Sequence, residues 1–294
     1  MPVVEIEGRE LKLSNLDKVL YPATGFTKAE VLDYYARIAP VLLPHLGDRF
    51  VTLKRYPDGV ESQPFFEKNC PSFKPDWMST NDMDNIRFCR VDSTPALMWI
   101  ANLAALELHT SMARHDDADR PTMVVFDLDP GAPAGLLECL DVGLWIRHVL
   151  EDLGLECLVK TSGSKGLQLY LPLNTPATHD QTASFSRTIA QLLEQSDPSK
   201  VVSVQRKDLR GGRVLVDWSQ NSRHKTTVCV YSLRARERPT VSAPLAWDEV
   251  EAAVAAEDAS SIMFEASEVL DRVDRLGDLF EPALTSRQEL PQLP

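Results

Sequence analysis

The stretch Met-Val-Val-Phe-Asp-Leu-Asp-Pro-Gly, residues 123–131, constrains this chain more than any other. A run of apolar residues leads into two aspartates separated by one leucine, and Pro-Gly then stops the run. Side chains alternate along a strand, so Asp127 and Asp129 share one face about 7 Å apart, while Leu128 points into the opposite layer. The Pro-Gly stop puts both acids at the strand's C-terminal rim, where a ligand can reach them. Two carboxylates so close repel each other, and a divalent cation is the usual remedy. A pair of such ions can activate an attacking oxygen and stabilise a leaving pyrophosphate. Asp217, in Val-Leu-Val-Asp-Trp-Ser, is a third acid delivered at the end of an apolar strand, and three acids from separate places are a stronger signal than one.

The rest of the pattern predicts an α+β fold. Thr27 and Glu30 form a capping box ahead of a helix whose apolar face carries Val31, Leu32, Tyr35 and Ile38. A strand is predicted over residues 50–56, a loop over 67–85, and a helix over 94–106 with Pro95 in its first turn. Strand 122–129, helix 135–153, a strand near 155–160 and a further strand after residue 166 follow. Residues 180–195 read as helix, 213–219 as a half-buried strand with 225–233 as its neighbour, and 247–256 and 266–273 as short helices. The order of strands and helices is not strictly alternating, which argues against a doubly wound sheet. Residues 1–294 read as one catalytic domain, with a frayed tail from about residue 280.

Composition excludes some classes. With 44% apolar and 25% charged residues, the 294-residue chain has the make-up of a soluble globular protein. No apolar run reaches membrane-spanning length and the start lacks an apolar signal core, so a cytoplasmic protein without membrane partners is expected. Cys70, Cys89, Cys139, Cys157 and Cys229 lack zinc-ligand spacing; reduced structural thiols and no zinc are expected. The net charge of −12 argues against indiscriminate nucleic-acid binding. Residues 200–238, however, carry +7, which leaves −19 for the remainder. A basic stretch in an acidic chain suggests a localised polyanion site.

Several residues fit such a site. Ser-Gly-Ser-Lys-Gly, 162–166, lies between two strands; small residues let its backbone N–H groups form an anion-binding nest, with Lys165 adding charge. A plain hairpin turn reads equally well, and the spacing is not that of a Walker loop. Arg210, Lys225 and Arg234 are natural partners for the same polyphosphate. Lys28 falls in the first turn of its helix, where the dipole disfavours a cation; it makes sense if a phosphate docks there, with Lys18 alongside. Phe65 and Phe66 form an adjacent aromatic pair, and an exposed ring could stack on a base. His109 closes the stretch Ala-Leu-Glu-Leu-His.

Taken in order, DKVLYPATGFTK, PFFEK, FDLDPG, TSGSKGL, VLVDWSQN, KTT and YSLRAR resemble the polymerase domain of bacterial ligase D in non-homologous end joining, within the archaeo-eukaryotic primase superfamily. The resemblance runs from about residue 10 to 275. It implies mixed and antiparallel sheets around a central active-site cleft with flanking helices. It implies a DNA repair polymerase, a template-directed nucleotidyltransferase that adds ribonucleotides or deoxyribonucleotides at gaps or break ends. Asp127, Asp129 and Asp217 would be catalytic and hold two Mn²⁺ or Mg²⁺ ions. Ser162, Gly163, Lys165, Lys225 and Arg234 would bind the nucleoside triphosphate, lined by Arg210 and His109. Lys18 and Lys28 would hold the 5′-phosphate of a gap or break, and Phe65 and Phe66 would pack on the template. End-joining proteins, Ku-like and a separate ligase, would be partners of a bacterial, nucleoid-associated protein. One position departs from the pattern: Gln168 stands where the family has a histidine facing the phosphates. Glutamine donates through its amide but carries no proton or positive charge, so phosphate binding is expected to be weaker or differently balanced. The Asp-x-Asp strand also resembles that of haloacid-dehalogenase-like phosphatases, although that family has the strand near its start and Gly-Thr after it. A DNA-end binding module without catalysis is the non-enzyme alternative.

Overall fold

The computed structural model describes residues 2–291, which divide into two compact units, each assembled from separate stretches of chain. The first comprises 1–111, 226–242 and 264–278, and the second comprises 112–225, 243–263 and 279–294. The secondary structure is mixed α and β with mostly antiparallel pairing, as the α+β reading expects. Among the described residues no helix is long and apolar enough to cross a membrane.

In the first unit the helix Lys28–Leu46 starts at the predicted capping box: Glu30 N–H donates to Thr27 Oγ1 at 3.3 Å, and Thr27 N–H to the Glu30 carboxylate at 2.7 Å. The helix buries Val31, Leu32, Tyr35, Ile38 and Leu42. Its sheet orders the strands Asp117–Pro121, Ala105–Arg114, Arg49–Arg55 and Phe65–Glu67, and Thr226–Val228 also pairs with Ala105–Arg114. The predicted helix over 94–106 is shorter, Thr94–Asn102; Leu103 and Ala104 turn the chain, Ala104 in the left-handed region at φ 58°, and a strand begins at Ala105.

Three further expectations are corrected here: the neighbour of 225–233, the loop over 67–85 and the reduced state of all five cysteines. The 225–233 segment does not neighbour the Asp217 strand. Thr226–Val228 pairs instead with Ser111, Thr110 and His109. The stretch 67–85, read as loop, contains the strand Thr80–Met83, which forms a hairpin with Ile86–Cys89 through Asp84 and Asn85, both at positive φ. That hairpin brings Cys89 toward Cys70, whose N–H donates to Arg87 O, and the two sulfurs form a disulfide across Cα atoms 4.7 Å apart. The remaining three cysteines form no disulfide and are buried.

The second unit is built on a six-stranded sheet in the order Val201–Val202, Val214–Asp217, Met123–Pro130, Leu167–Pro172, Leu158–Thr161 and Pro244–Leu245. Among the described residues of this sheet, Val201–Val202 pairs in parallel and the other strands antiparallel. The DLD strand is central, with Val124, Val125, Phe126 and Leu128 fully buried. Leu128 lies beneath the helix Leu136–Asp152: a Cβ at Gly143 of that helix would meet Leu167 at 2.7 Å, with Leu128 at 3.9 Å. That helix therefore covers one face, and the other carries the acids. The stretch expected to fray holds a short helix, Pro282–Thr285, and Gln288, whose amide bonds to both Glu156 N–H and O and to Pro172 O.

Candidate active site

Strand register brings the three acids together. Asp127 stands directly across from Asp217, and Asp129 lies two residues further along the same face. On its other side Asp127 faces Gln168, which in turn faces Lys160. Four strands thus contribute one polar row, Asp217–Asp127–Gln168–Lys160, on the face opposite the helix Leu136–Asp152. Asp127 and Asp129 are half-buried, whereas Asp217, Gln168 and Lys160 are buried.

Asp217 and Asp127 are held by neutral donors. Asp217 accepts from Gln205 Nε2 on both oxygens (2.9 and 3.0 Å), from Ser219 N–H and Oγ (3.0 and 2.7 Å) and from Gln220 Nε2 (3.0 Å). Asp127 Oδ1 accepts from Gln168 Nε2 at 2.9 Å. The turn after Asp217 is stapled to the central strand by Asn221, which accepts from Val125 N–H and donates to Val125 O, both at 2.8 Å. Burial pushes the Asp127 carboxyl up to about 7, helped by the neighbouring charges of Asp129 and Asp217. Among the described residues no three His, Cys, Asp or Glu side chains stand as a closed metal cage. The donor set nonetheless has the chemistry for a hard divalent cation: three carboxylates on adjoining strands whose repulsion raises one of them toward neutrality. Asp217, with both oxygens engaged, closes on an ion only by giving up some of its present amide and hydroxyl partners.

The Ser-Gly-Ser-Lys-Gly turn adjoins the acids. Ser162 N–H donates to Gly166 O and Gly166 N–H to Ser162 Oγ (2.9 and 3.1 Å), with Gly163 at φ 64°. Gly166 is dictated by proximity: a Cβ there would lie 2.4 Å from Leu128 O. Lys165 is exposed, its Nζ 3.5 Å from Pro130 O. Gly131 permits a similar approach, since its Cβ would fall 2.0 Å from Arg210 O; Arg210 is thereby docked at the rim of the DLD strand. Lys225 is exposed at the end of this unit.

His109 and Arg234 belong to the first unit, where they surround the buried Glu107. Glu107 lies 2.9 Å from His109 Nε2, 3.4 Å from Arg234 Nε and 3.5 Å from Lys54 Nζ, and accepts from Ala235 N–H at 3.1 Å. These partners hold its carboxyl far below the ordinary range despite burial. Burial lowers the His109 pKa, against the pull of Glu107. Phe66 is well exposed, 6.2 Å from the His109 ring and 5.5 Å from Lys54 Nζ; Phe65 lies against the Arg55 guanidinium at 4.8 Å. Glu107 escaped the sequence reading although strand alternation was a signal, because a residue two before His109 shares its face.

Lys18 and Lys28 line one cavity of about 200 Å³ with Ser14, Asn15 and Arg55. Lys18 Nζ pairs with Asp58 at 2.8 Å, and Lys28 Nζ donates to Ser14 O at 2.7 Å and Ser14 Oγ at 3.1 Å. Burial, reinforced by Lys18 and Arg55, lowers the Lys28 pKa to about 8. Arg55 had no sequence signal, because only tertiary folding sets it beside two lysines from another part of the chain.

Comparison with known proteins follows the same lines. The family described as LigD, primase-polymerase domain, matches residues 27–280. The multifunctional non-homologous end joining protein LigD of Mycolicibacterium smegmatis is 44% identical over 278 residues, 92% of this chain and 36% of that protein. The bifunctional LigD of Bacillus subtilis is 30% identical over 283 residues, 96% of this chain and 45% of its own. The chain thus spans less than half the length of these relatives. The polymerase domain of Mycobacterium tuberculosis ligase D, solved in complex with DNA, superposes with a TM-score of 0.85 at 40% identity, covering 95% of this chain and 99% of that one. With the antiparallel DLD sheet and the α+β fold already described, these matches establish that the chain belongs to the LigD primase-polymerase family of polymerase-type nucleotidyltransferases.

Proposed function

We propose that this chain adds nucleotides to a primer strand at a DNA gap or break, in end joining. The observation that carries the reading is the register that sets Asp127 opposite Asp217 with Asp129 on the same face. In the reaction the primer 3′-oxygen attacks the α-phosphorus of a nucleoside triphosphate. A new O–P bond forms as the bond to pyrophosphate breaks, and the hydroxyl loses its proton. The family is metal-dependent. Asp127, Asp129 and Asp217 would hold two divalent cations, manganese or magnesium, which when bound lower the pKa of the attacking hydroxyl and neutralise the leaving pyrophosphate. Ser162 and Gly163 would offer hydrogen bonds to the triphosphate, while Lys165, Arg210, Lys225, His109 and Arg234 would balance its charge. Lys18 and Lys28, joined by Arg55, would grip a 5′-phosphate, and Phe65 and Phe66 would stack on the template. One catalytic domain made of both units is part of this proposal; the family match, spanning residues of both, supports it. Ku-like proteins and a ligase activity are the proposed partners in the bacterial cytoplasm, at the nucleoid.

The haloacid-dehalogenase reading loses its support, since family and fold matches both point to the polymerase domain. The test is a labelled gapped duplex bearing a 5′-phosphate, incubated with ribo- or deoxyribonucleotides and Mn²⁺ or Mg²⁺. Extension is expected, and Asp127→Ala or Asp129→Ala abolishes it while DNA binding stays nearly intact. Normal extension by either variant would refute the assignment.

A further inference from the structure

Gln168 lies in the interior of the sheet with both ends of its amide engaged. Its Oε1 accepts from Lys160 Nζ and, at 3.4 Å, from Tyr170 OH. Its Nε2 donates to Asp127 Oδ1 at 2.9 Å. The three side chains come from neighbouring strands in direct register: Lys160 across from Gln168, and Gln168 across from Asp127. Lysine has three donors and no acceptor, so the amide oxygen must face Lys160, and the N–H side is left to face the aspartate. A flipped amide would set two donors against each other at one end and two acceptors at the other. Lys160 is among the largest fully buried side chains, so solvent does not compete for this arrangement.

Resting on the metal-site reading above, we propose that Gln168 is a positioning residue for Asp127, with its amide orientation set by Lys160, in place of the phosphate contact that the sequence suggested. Asp127 has one oxygen held from the Gln168 side. That bond restricts its rotamer and engages Oδ1, while Oδ2 lies outside the Gln168 contact. Partners that orient a ligating carboxylate are worth about ten- to a hundredfold in metal affinity.

The two roles separate in experiment. In the full chain, Mn²⁺ affinity is measured by electron paramagnetic resonance without nucleotide or DNA, and KM and kcat for the triphosphate are measured on the gapped duplex. Gln168→Leu conserves charge. It is expected to weaken Mn²⁺ binding about tenfold and to lower kcat, with the triphosphate KM at saturating Mn²⁺ within twofold of the parent. Unchanged or tighter Mn²⁺ binding, or a loss confined to KM, overturns the proposal. Gln168→Leu also removes one acceptor of the buried Lys160 ammonium. Lys160→Met/Gln168→Leu removes that burden, keeps the sheet intact by circular dichroism and thermal melting, and is expected to show the same metal defect. Parental Mn²⁺ affinity in the folded double variant again overturns the proposal. Asp127→Asn is the reference for the underlying reading: if it binds Mn²⁺ like the parent, the metal site itself is misassigned. If it loses Mn²⁺ while Gln168→Leu does not, only the role of Gln168 falls.

Discussion

Lys28 carries a cost that the proposed phosphate contact would offset. Its ammonium sits at a helix N-terminus, where the dipole opposes it, and is buried beside two further cations. Its pKa is about 8, below that of an ordinary lysine. The charged form is penalised in the folded state, so this group makes the free protein more stable as pH rises from 8 toward the ordinary lysine range. A bound phosphate reverses the penalty by drawing the pKa back up, and binding above pH 8 must then take up a proton. Affinity for a 5′-phosphorylated end is therefore expected to fall as pH climbs from 8 to 9.5, by up to about tenfold per pH unit. Fluorescence anisotropy with matched phosphorylated and unphosphorylated duplexes measures it. Lys28→Met should flatten the profile and erase the preference for the phosphorylated end. A steep profile persisting in that variant would assign the proton elsewhere. The sequence exposed this residue by its conflict with the dipole, but its partner Arg55 comes from a strand with no such conflict.

At the scale of elements, the central strand was legible because its apolar run and its stop coincide with burial and the rim. The Asp127–Asp129 pair followed from period-2 alternation and Asp217 from its place at the end of an apolar run, yet alternation fixes a face and not a neighbour. The 225–233 stretch was assigned beside Asp217 for that reason and pairs with Ala105–Arg114 instead. The latter strand was hidden because it is buried on both faces, with only His109 and Arg114 partly open, so no alternation marks it. Asp84-Asn85 was a readable turn signal, whereas the Cys70–Cys89 pairing depends on where the hairpin lands. Backbone crowding is equally silent in sequence and equally consequential. Gly131 ends the DLD strand, donates to Arg213 O at 2.8 Å and accepts from Gly212 N–H at 2.9 Å. A methyl group at this position would overlap Arg210 O, a rigid backbone atom. Gly131→Ala is expected to push the 206–213 loop off the rim, raising the KM for triphosphate severalfold through Arg210 and speeding proteolysis after Arg206 or Lys207. The change in thermal stability should be small beside a core truncation, since the loop is largely exposed. An unchanged cleavage rate would mean that the loop is held by other contacts.

At the scale of the whole chain, the charge distribution limits what kind of DNA can bind. A protein of net charge −12 is repelled by a continuous polyanion, and its +7 segment is too short to offset this along a duplex. Binding should then depend on places where phosphate charge is concentrated and accessible, such as a terminal 5′-phosphate in a pocket lined by Lys18, Lys28 and Arg55. Each phosphate neutralised releases counterions and contributes about −0.9 to the slope of log affinity against log salt on duplex DNA. A gapped duplex with a 5′-phosphate is expected to show a steeper slope than the same duplex without it, by the charge that the pocket neutralises. Lys18→Met or Lys28→Met should each reduce the slope by about one on the phosphorylated duplex and leave it unchanged on the other. An unbroken duplex of equal length should bind weakly at low salt and negligibly at physiological salt. If the unbroken duplex binds as tightly as the phosphorylated gap, selection by local charge is wrong, and the basic segment would have to act as a general DNA-binding surface despite the acidic remainder.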